Sequence, residues 1–250
     1  MNGEFKKVLI RTKFGLNETS IENPMIGFCT GCGNRFDFLK QTINLNLAEL
    51  DNHSNVSWVI VDYASETPIF DNIVNLVDER HLKSKKVRVF RYETNKGFNM
   101  SHSKNLSHRL SDSMFLFNLD CDVVLKKGCV DYLVSYIRNN YLFGRCTGQG
   151  LFGAILLFSP LFYKIKGYDE HYVRWGGEDQ QLWKDILCSD AYVPYMSKSF
   201  DSCYFRHINH SNNLRFSWGE KDYYYDNEKK PIFGRGDVID CFTGEKICVR

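Results

Sequence analysis

Residues 113–122 read Ser-Met-Phe-Leu-Phe-Asn-Leu-Asp-Cys-Asp, an apolar run that ends on two acidic residues. Continuous apolar character over so short a run is typical of a strand that is buried on both faces of a sheet. In an open sheet of parallel strands, ligands bind outside the carboxyl ends of the strands. We therefore expect Asp120 and Asp122 to lie at a ligand-binding edge of such a sheet.

Strands and helices alternate on both sides of this run. The hydrophobic pattern predicts strands over residues 24–30, 57–62, 86–92 and 150–158, and helices over 35–50, 69–77, 101–110, 128–139 and 178–187. Repeated strand–helix units of this kind predict an α/β fold, with a doubly wound, mostly parallel, Rossmann-like sheet flanked by helices.

The composition excludes several classes of protein. The chain has 250 residues, of which 43% are hydrophobic and 25% are charged, which is typical of a globular protein with a substantial core. A net charge of +2 argues against a protein that mainly neutralises nucleic-acid phosphates. No apolar run approaches the length of about 18 residues that a membrane span needs, and no secretory signal is evident near Met1. We expect a soluble or peripheral cytoplasmic protein.

The nine cysteines are irregularly spaced and give no disulfide framework, so we expect reduced thiols. Cys29 and Cys32 form a CxxC pair, which could act in redox chemistry or supply half of a zinc site. The best remaining pair, Cys241 and Cys248, is too widely spaced to complete such a site. The sequence therefore favours two small residues at the end of a buried strand.

Three short motifs contain residues that could carry chemistry. Asp120 and Asp122 offer hard oxygen ligands, which suit Mg²⁺ or Mn²⁺ bridging phosphates, although such pairs also mark solvated turns. Residues 175–179 read Trp-Gly-Gly-Glu-Asp, where the glycines allow close backbone approach and the acids could simply cap the following helix. Residues 206–211 contain two histidines three positions apart, which could bind a cation or be ordinary surface histidines.

Taken in order, these motifs resemble the GT-A glycosyltransferases, in particular the inverting β-1,4-galactosyltransferase type and its relatives in the large bacterial family 2. The resemblance covers roughly residues 24–215 and is carried by residues 120–122, 150–158, 167–169, 175–179 and 206–211. It implies one GT-A catalytic domain over 1–215, with a nucleotide-binding half at about 24–122 and an acceptor and catalytic half at 123–215. We expect residues 216–250 to form an irregular C-terminal extension that packs on the core.

The resemblance also implies the catalytic and acceptor-binding residues. Asp179 corresponds to the catalytic base, and Glu178 to the acid that hydrogen-bonds the sugar hydroxyls. Trp175, with Gly176 and Gly177, corresponds to the wall beside the acceptor sugar.

The resemblance further implies which residues bind the donor and the metal. Asp122 and His210 correspond to metal ligands, and His207 stands where galactosyltransferases of this type carry a methionine ligand. The positions that resemble donor contacts are Thr30, Arg35, Asp62, Asn95, Gly97 and Asp120, with Asp62 accepting from uracil N3 and Asp120 nearer the ribose and sugar.

These expectations combine into one function. We expect an inverting hexosyltransferase that uses Mn²⁺ or Mg²⁺ to move galactose or N-acetylgalactosamine from a UDP-sugar to a saccharide or lipid-linked saccharide. A cytoplasmic role in bacterial surface polysaccharide synthesis fits best, with contact at the inner membrane face and the oligomeric state left open. The alternatives are a nucleotidyltransferase, which would have no use for residues 175–177, and a catalytically inactive carbohydrate-binding protein.

Overall fold

The computed structural model describes residues 22–173, 176–189, 198–209 and 231–250. The strands are β1 (Ile26–Cys32), β2 (Val56–Tyr63), β3 (Val87–Tyr92), β4 (Phe115–Asn118), β5 (Val123–Leu125), β6 (Phe143–Arg145), β7 (Ile155–Phe158), β8 (Phe205–His207), β9 (Gly236–Asp240) and β10 (Lys246–Val249). The helices are α1 (Phe36–Leu50), α2 (Phe70–Ile73), α3 (Glu79–Lys83), α4 (Met100–Arg109), α5 (Cys129–Arg138), α6 (Ser159–Lys164) and α7 (Glu178–Cys188).

An eight-stranded sheet with the order β10-β9-β3-β2-β1-β4-β7-β6 forms the centre of the fold. Its four central strands, β3, β2, β1 and β4, pair in parallel, and antiparallel strands extend the sheet on both sides. All four residues of β4 are buried, as the apolar run in the sequence requires. The predicted α/β class with a parallel sheet core is confirmed.

Helix α1 holds the loop that follows β4. The apolar residues on its inner face repeat at helical spacing and are buried, and Thr42 and Asn46 on the same helix are also inaccessible to solvent. Thr42 Oγ1 donates to Cys121 O at 2.9 Å, and Asn46 Nδ2 donates to Val123 O at 3.0 Å. The two acidic residues flanking Cys121 are therefore fixed by side chains of α1 as well as by the sheet.

A two-stranded antiparallel sheet, β5 with β8, brings distant parts of the chain together. Val123 pairs with His207, and Ile208 N donates to Asp122 O at 2.8 Å. The sequence did not predict these strands because each has only three residues. Their pairing places the first histidine of the 206–211 motif next to the acidic pair.

The C-terminal residues differ from the prediction of an irregular extension. Strands β9 and β10 form a hairpin that pairs with β3, and Val238 is fully buried there. Upstream of the hairpin, the buried carboxylate of Glu170 accepts from the backbone N–H groups of residues 232–234. The pattern was hard to detect because the hairpin buries few apolar side chains and exposes Ile239.

Two further differences concern element boundaries. The helix predicted over 69–77 is the single turn α2, and Asp78 caps the separate α3 by accepting from Arg80 N at 2.9 Å. The strand predicted over 150–158 is shorter, because β7 begins only at Ile155. No helix among the described residues is both long enough and apolar enough to cross a membrane.

Candidate active site

A cavity of about 120 Å³ opens where the strand order reverses between β1 and β4. Such a switch point, at the carboxyl ends of the strands, is where open α/β sheets bind ligands. The lining residues are Gly31, Gly33, Arg35, Phe98, Met100, Lys104, Asp120, Cys121, Asp122, Gly150, Phe152, Gly153, Glu178, Asp179 and His207. Six of the predicted site residues thus meet in this cavity: Arg35, Asp120, Asp122, Glu178, Asp179 and His207.

Lys104 is a site residue that sequence reasoning missed. It lies on α4, is only 2% exposed, and donates from Nζ to Asp179 Oδ1 at 2.7 Å and to Glu178 Oε1 at 3.0 Å. Asp120 Oδ1 lies 3.8 Å from the same Nζ. A buried lysine needs counter-charges, and the carboxylates of the cavity supply them.

The charges of this cluster shift its pKa values. Burial raises the pKa of Asp179 to about 7; the charge of Lys104 opposes this increase, and the charges of Glu178 and Asp120 add to it. For Lys104, burial lowers the pKa, but the charges of the three acids outweigh it and raise it well above its ordinary value. Lys104 is therefore an ammonium at neutral pH, while Asp179 can gain or lose a proton there.

Glu178 has one carboxylate oxygen with a partner and one without. Its Oε1 accepts from Lys104, whereas its Oε2 is buried and has no hydrogen-bond partner among the described residues. A buried acceptor without a donor costs free energy, so such an atom in a cavity wall suits a ligand hydroxyl.

Glycines at the start of α7 set the direction of the two acids. Gly176 and Gly177 have φ values of 100° and 88°, which side chains with a Cβ rarely adopt. Gly177 occupies the N-cap, and no described side chain caps the helix, because Asp179 accepts from Lys104 instead. The interpretation of Asp179 as a helix cap is therefore wrong.

The loop before β7 passes directly over the acids. A Cβ on Gly153 would lie 2.4 Å from Asp120 Oδ2 and 3.1 Å from Asp179 Oδ2, so only glycine fits there without displacement. Asn118 Nδ2 fixes this contact by donating to Gly153 O at 2.9 Å and to Asp120 Oδ1 at 3.0 Å. Phe152, next to it in the loop, lines the cavity and is 47% exposed.

Two of the three predicted metal ligands lie side by side. Asp122 Oδ2 is 3.7 Å from His207 Nε2, and both residues line the cavity. Two ligands about 2.1 Å from one divalent cation can be that far apart, so the pair fits such an ion. Arg35 Nη2 lies 3.2 Å from the same oxygen. The described residues contain no cluster of three His, Cys, Asp or Glu side chains able to hold a metal.

The structure does not describe the remaining predicted ligand or the predicted aromatic wall. His210 and Trp175 lie outside the described residues, so their predicted roles stay predictions. Cys29, in the middle of β1, and Cys32, at its end, are both buried free thiols, which agrees with the favoured interpretation of small residues in a buried strand.

Thr30 does not reach the cavity as expected. It is fully buried, donates to Leu119 O at 2.5 Å and accepts from Trp58 Nε1 at 2.9 Å. Its side chain points into the hydrogen-bonded core between β1 and β4, so the structure gives it no route to a nucleotide.

Asp62 is likewise absent from the cavity lining. It is 1% exposed, and its carboxylate accepts from Arg91 Nη1 at 2.6 Å and from the backbone N–H groups of Ser65 and Ile69. In this arrangement the carboxylate of Asp62 fixes the turn after β2 and its bonds are directed inward.

Asn95 and Gly97 are exposed and do not line the cavity either. Gly97 has a φ of 74°, and a Cβ at this position would meet no described atom within 4 Å, so its role is to turn the chain. The turn directs Phe98 and Met100, rather than the predicted pair, toward the cavity.

Comparisons with known proteins give one family match and several similar folds. A family model described as the N-terminal domain of galactosyltransferase matches residues 136–211, which include α7 and β8. No curated protein matches the chain by sequence.

Solved structures show a similar fold. S. aureus TarS 1-349 in complex with UDP-GlcNAc matches with a TM-score of 0.52 and 15% identity, over 64% of this chain and 52% of TarS 1-349. A mutant of Drosophila β1,4-galactosyltransferase 7 in complex with manganese, UDP-Gal and xylobiose matches with a TM-score of 0.52 and 15% identity, over 85% of this chain and 84% of that one. The chain thus spans about half the length of TarS 1-349. The architecture is the GT-A type found in these glycosyltransferases.

Proposed function

We propose that the chain is an inverting glycosyltransferase that moves a sugar from a UDP-sugar to a hydroxyl of a saccharide. One observation carries the proposal: Asp179, with a pKa of about 7, lies in the cavity wall next to the acidic residues that end the β4 run. A carboxylate with a pKa near the working pH suits a general base. The complexes of the similar structures with UDP-sugars and xylobiose support the donor and acceptor classes.

The reaction follows from the roles of the two acids. The acceptor hydroxyl loses its proton to Asp179 as its oxygen forms a bond to the anomeric carbon of the donor. The bond from that carbon to the phosphate oxygen breaks, and its electron pair leaves with UDP. Because the base lies on the face opposite the leaving group, the anomeric configuration inverts. Glu178 Oε2 accepts from a hydroxyl of the bound sugar.

The leaving diphosphate needs positive charge. Arg35 lines the cavity and supplies a guanidinium that can pair with phosphate oxygens. Asp122 and His207, with His210 as the predicted third ligand, would hold Mn²⁺ or Mg²⁺. Such an ion would neutralise the charge that develops on the diphosphate.

The resemblance supports finer proposals. We assign UDP-galactose or UDP-N-acetylgalactosamine as donor, a saccharide or lipid-linked saccharide as acceptor, and a cytoplasmic role in bacterial surface polysaccharide synthesis. Asp120 then faces the ribose and sugar, and Gly176, Gly177 and Trp175 face the acceptor.

A donor panel tests this function. Purified protein is incubated with Mn²⁺, UDP-sugars and simple Gal, Glc, GlcNAc and GlcA glycosides, and UDP release is measured with and without acceptor. Acceptor-dependent UDP release is expected, and Asp179→Asn should lower it by about 10²- to 10⁴-fold. Asp185→Asn is the matched control, because Asp185 lies on the same helix, outside the cavity lining, and accepts from Gln181. UDP binding without any release would indicate an inactive binding protein instead, and release of sugar 1-phosphate in place of UDP would indicate a nucleotidyltransferase.

A further inference from the structure

Lys104 donates to one oxygen of each of the two acids that begin α7. Its Nζ donates to Asp179 Oδ1 and to Glu178 Oε1, and the ring of Tyr168 lies 5.2 Å from the same atom. A lysine ammonium carries three donors, so it can bond both carboxylates at the same time. Because Lys104 is buried, water does not compete for these bonds.

The opposite oxygens of the two acids remain for other partners. Asp179 Oδ2 lies on the side of the Gly153 loop, 3.1 Å from where a Cβ on that glycine would stand. Glu178 Oε2 is buried without a hydrogen-bond partner among the described residues. Each acid therefore has one oxygen that accepts from the lysine and one that does not.

We propose that Lys104 is a positioning residue for the transfer: it selects Asp179 Oδ2 as the proton acceptor and Glu178 Oε2 as the acceptor for a sugar hydroxyl. This inference rests on the proposed function. Lys104 itself neither gives nor takes a proton, because the proton moves from the acceptor hydroxyl to Asp179 alone. Its contribution is the direction of two carboxylates and the charge that keeps Asp179 ionised.

Charged groups of both signs face Asp179 from the described elements around it. Lys104 approaches it from α4, Glu178 from its own helix, and Asp120 from the end of the β4 run. Arg145, at the end of β6, is close enough for the charge of Asp179 to raise its pKa, although burial lowers it overall. Tyr168 adds a phenol whose pKa is raised by burial. Loss of the Lys104 charge should therefore make Asp179 harder to ionise.

The test is the pH dependence of kcat in Lys104→Met and Lys104→Arg. In Lys104→Met the rising limb should move at least about one pH unit to the alkaline side, because an opposite charge at contact distance is lost. Donor KM should change less than kcat at neutral pH. Lys104→Arg should restore the position of the limb. Lys83→Met is the control, because Lys83 forms an exposed pair with Glu79 outside the cavity lining.

A second comparison is made if the Lys104→Met protein does not fold. The double variant K104M/E178Q removes one charge of each sign, so the buried cluster keeps its net charge. The rising limb of its pH profile of kcat should lie at higher pH than the rising limb of Glu178→Gln alone. The inference would be overturned if a folded variant that lacks Lys104 kept its rising limb at the pH of the protein from which it was made, the wild type or Glu178→Gln. Failure of the proposed function would look different, because the wild-type protein would then transfer no sugar at any pH.

Discussion

The backbone of Gly153 packs against the carboxylate of Asp120 so closely that a Cβ would lie 2.4 Å from Oδ2. The same Cβ would lie 3.1 Å from Asp179 Oδ2. One glycine thus fixes the separation between the acid expected at the donor and the proposed base.

Gly153→Ala should therefore disturb both acids. A displacement near 1 Å is needed to relieve the contact, and a misplacement of that size costs about 10²-fold in rate. Overpacking should also destabilise the fold by about 1–3 kcal/mol. Steady-state kinetics and thermal unfolding measure the two effects. Gly148→Ala is the control, because its Cβ would meet Leu151 Cδ1 at 3.1 Å and Ser202 Cβ at 3.2 Å, which requires shifts of only a few tenths of an ångström and touches neither acid. Equal kinetics in both variants would contradict the account.

The pH profile of kcat/KM should have a rising limb near pH 7. Asp179 must be ionised to accept a proton, so activity appears as the pH rises through its pKa of about 7. The contribution of Asp179 to stability changes in the opposite direction, because it falls as the pH rises. A carboxyl whose pKa is raised from 3.8 to about 7 on folding stabilises the protein below pH 3.8, and this contribution is lost between pH 3.8 and 7. Denaturant unfolding of wild type and Asp179→Asn across that window measures the loss; a limb below pH 5 would argue against Asp179 as the base.

Asp62→Ala should lower stability rather than nucleotide selectivity. It breaks a partly buried pair with Arg91 and removes the acceptor for two backbone N–H groups, which should cost about 1–3 kcal/mol. Asp112→Ala, which breaks an exposed pair with Arg88, should cost under about 1 kcal/mol. Thermal unfolding measures both, and calorimetry with UDP and CDP measures selectivity. If Asp62→Ala kept its stability but no longer preferred UDP over CDP, Asp62 would have the nucleotide-binding role that the resemblance implies.

Metal removal tests the Asp122 and His207 pair. Chelation should abolish transfer, and Mn²⁺ should restore it in the wild type but not in Asp122→Ala. Loss of an outer partner of a metal ligand already lowers metal affinity by about 10- to 100-fold, so His207→Ala should raise the Mn²⁺ requirement at least roughly tenfold. His53→Ala, at a site outside the cavity, should leave it unchanged. If the wild-type protein kept full activity in the presence of chelator, transfer would not require a metal ion.

The sequence predicted the parts of the fold that periodicity encodes. The parallel strands, α1 and α7 are close to their predicted positions because each buries a continuous run or a regular stripe of apolar residues. Helix α4 is also close to its predicted position, although it buries mainly polar side chains. Asp120 and Asp122 were identified as site residues because the end of an apolar strand is visible in the sequence. The three-residue strands β5 and β8 carry no such pattern, so their pairing was missed.

Tertiary contacts explain the errors in the site. Lysines on helices normally face solvent, and nothing in the sequence near Lys104 shows that acids 74 and 75 residues away surround it. Thr30 and Asp62 both stand near strand ends, as predicted, but Trp58 and Arg91 on neighbouring strands draw their side chains inward. Position along a strand predicts the edge of the sheet, and the partner across the sheet decides where a side chain points.

The anomeric configuration of the product tests the central claim most directly. The product of the active donor and acceptor is purified, and the coupling constant of its new anomeric proton is measured by NMR. Single displacement with Asp179 as base predicts a β-linked product from an α-linked UDP-sugar, formed about 10²- to 10⁴-fold more slowly by Asp179→Asn. An α-linked product, or a β-linked product formed by Asp179→Asn at the wild-type rate, would contradict the account.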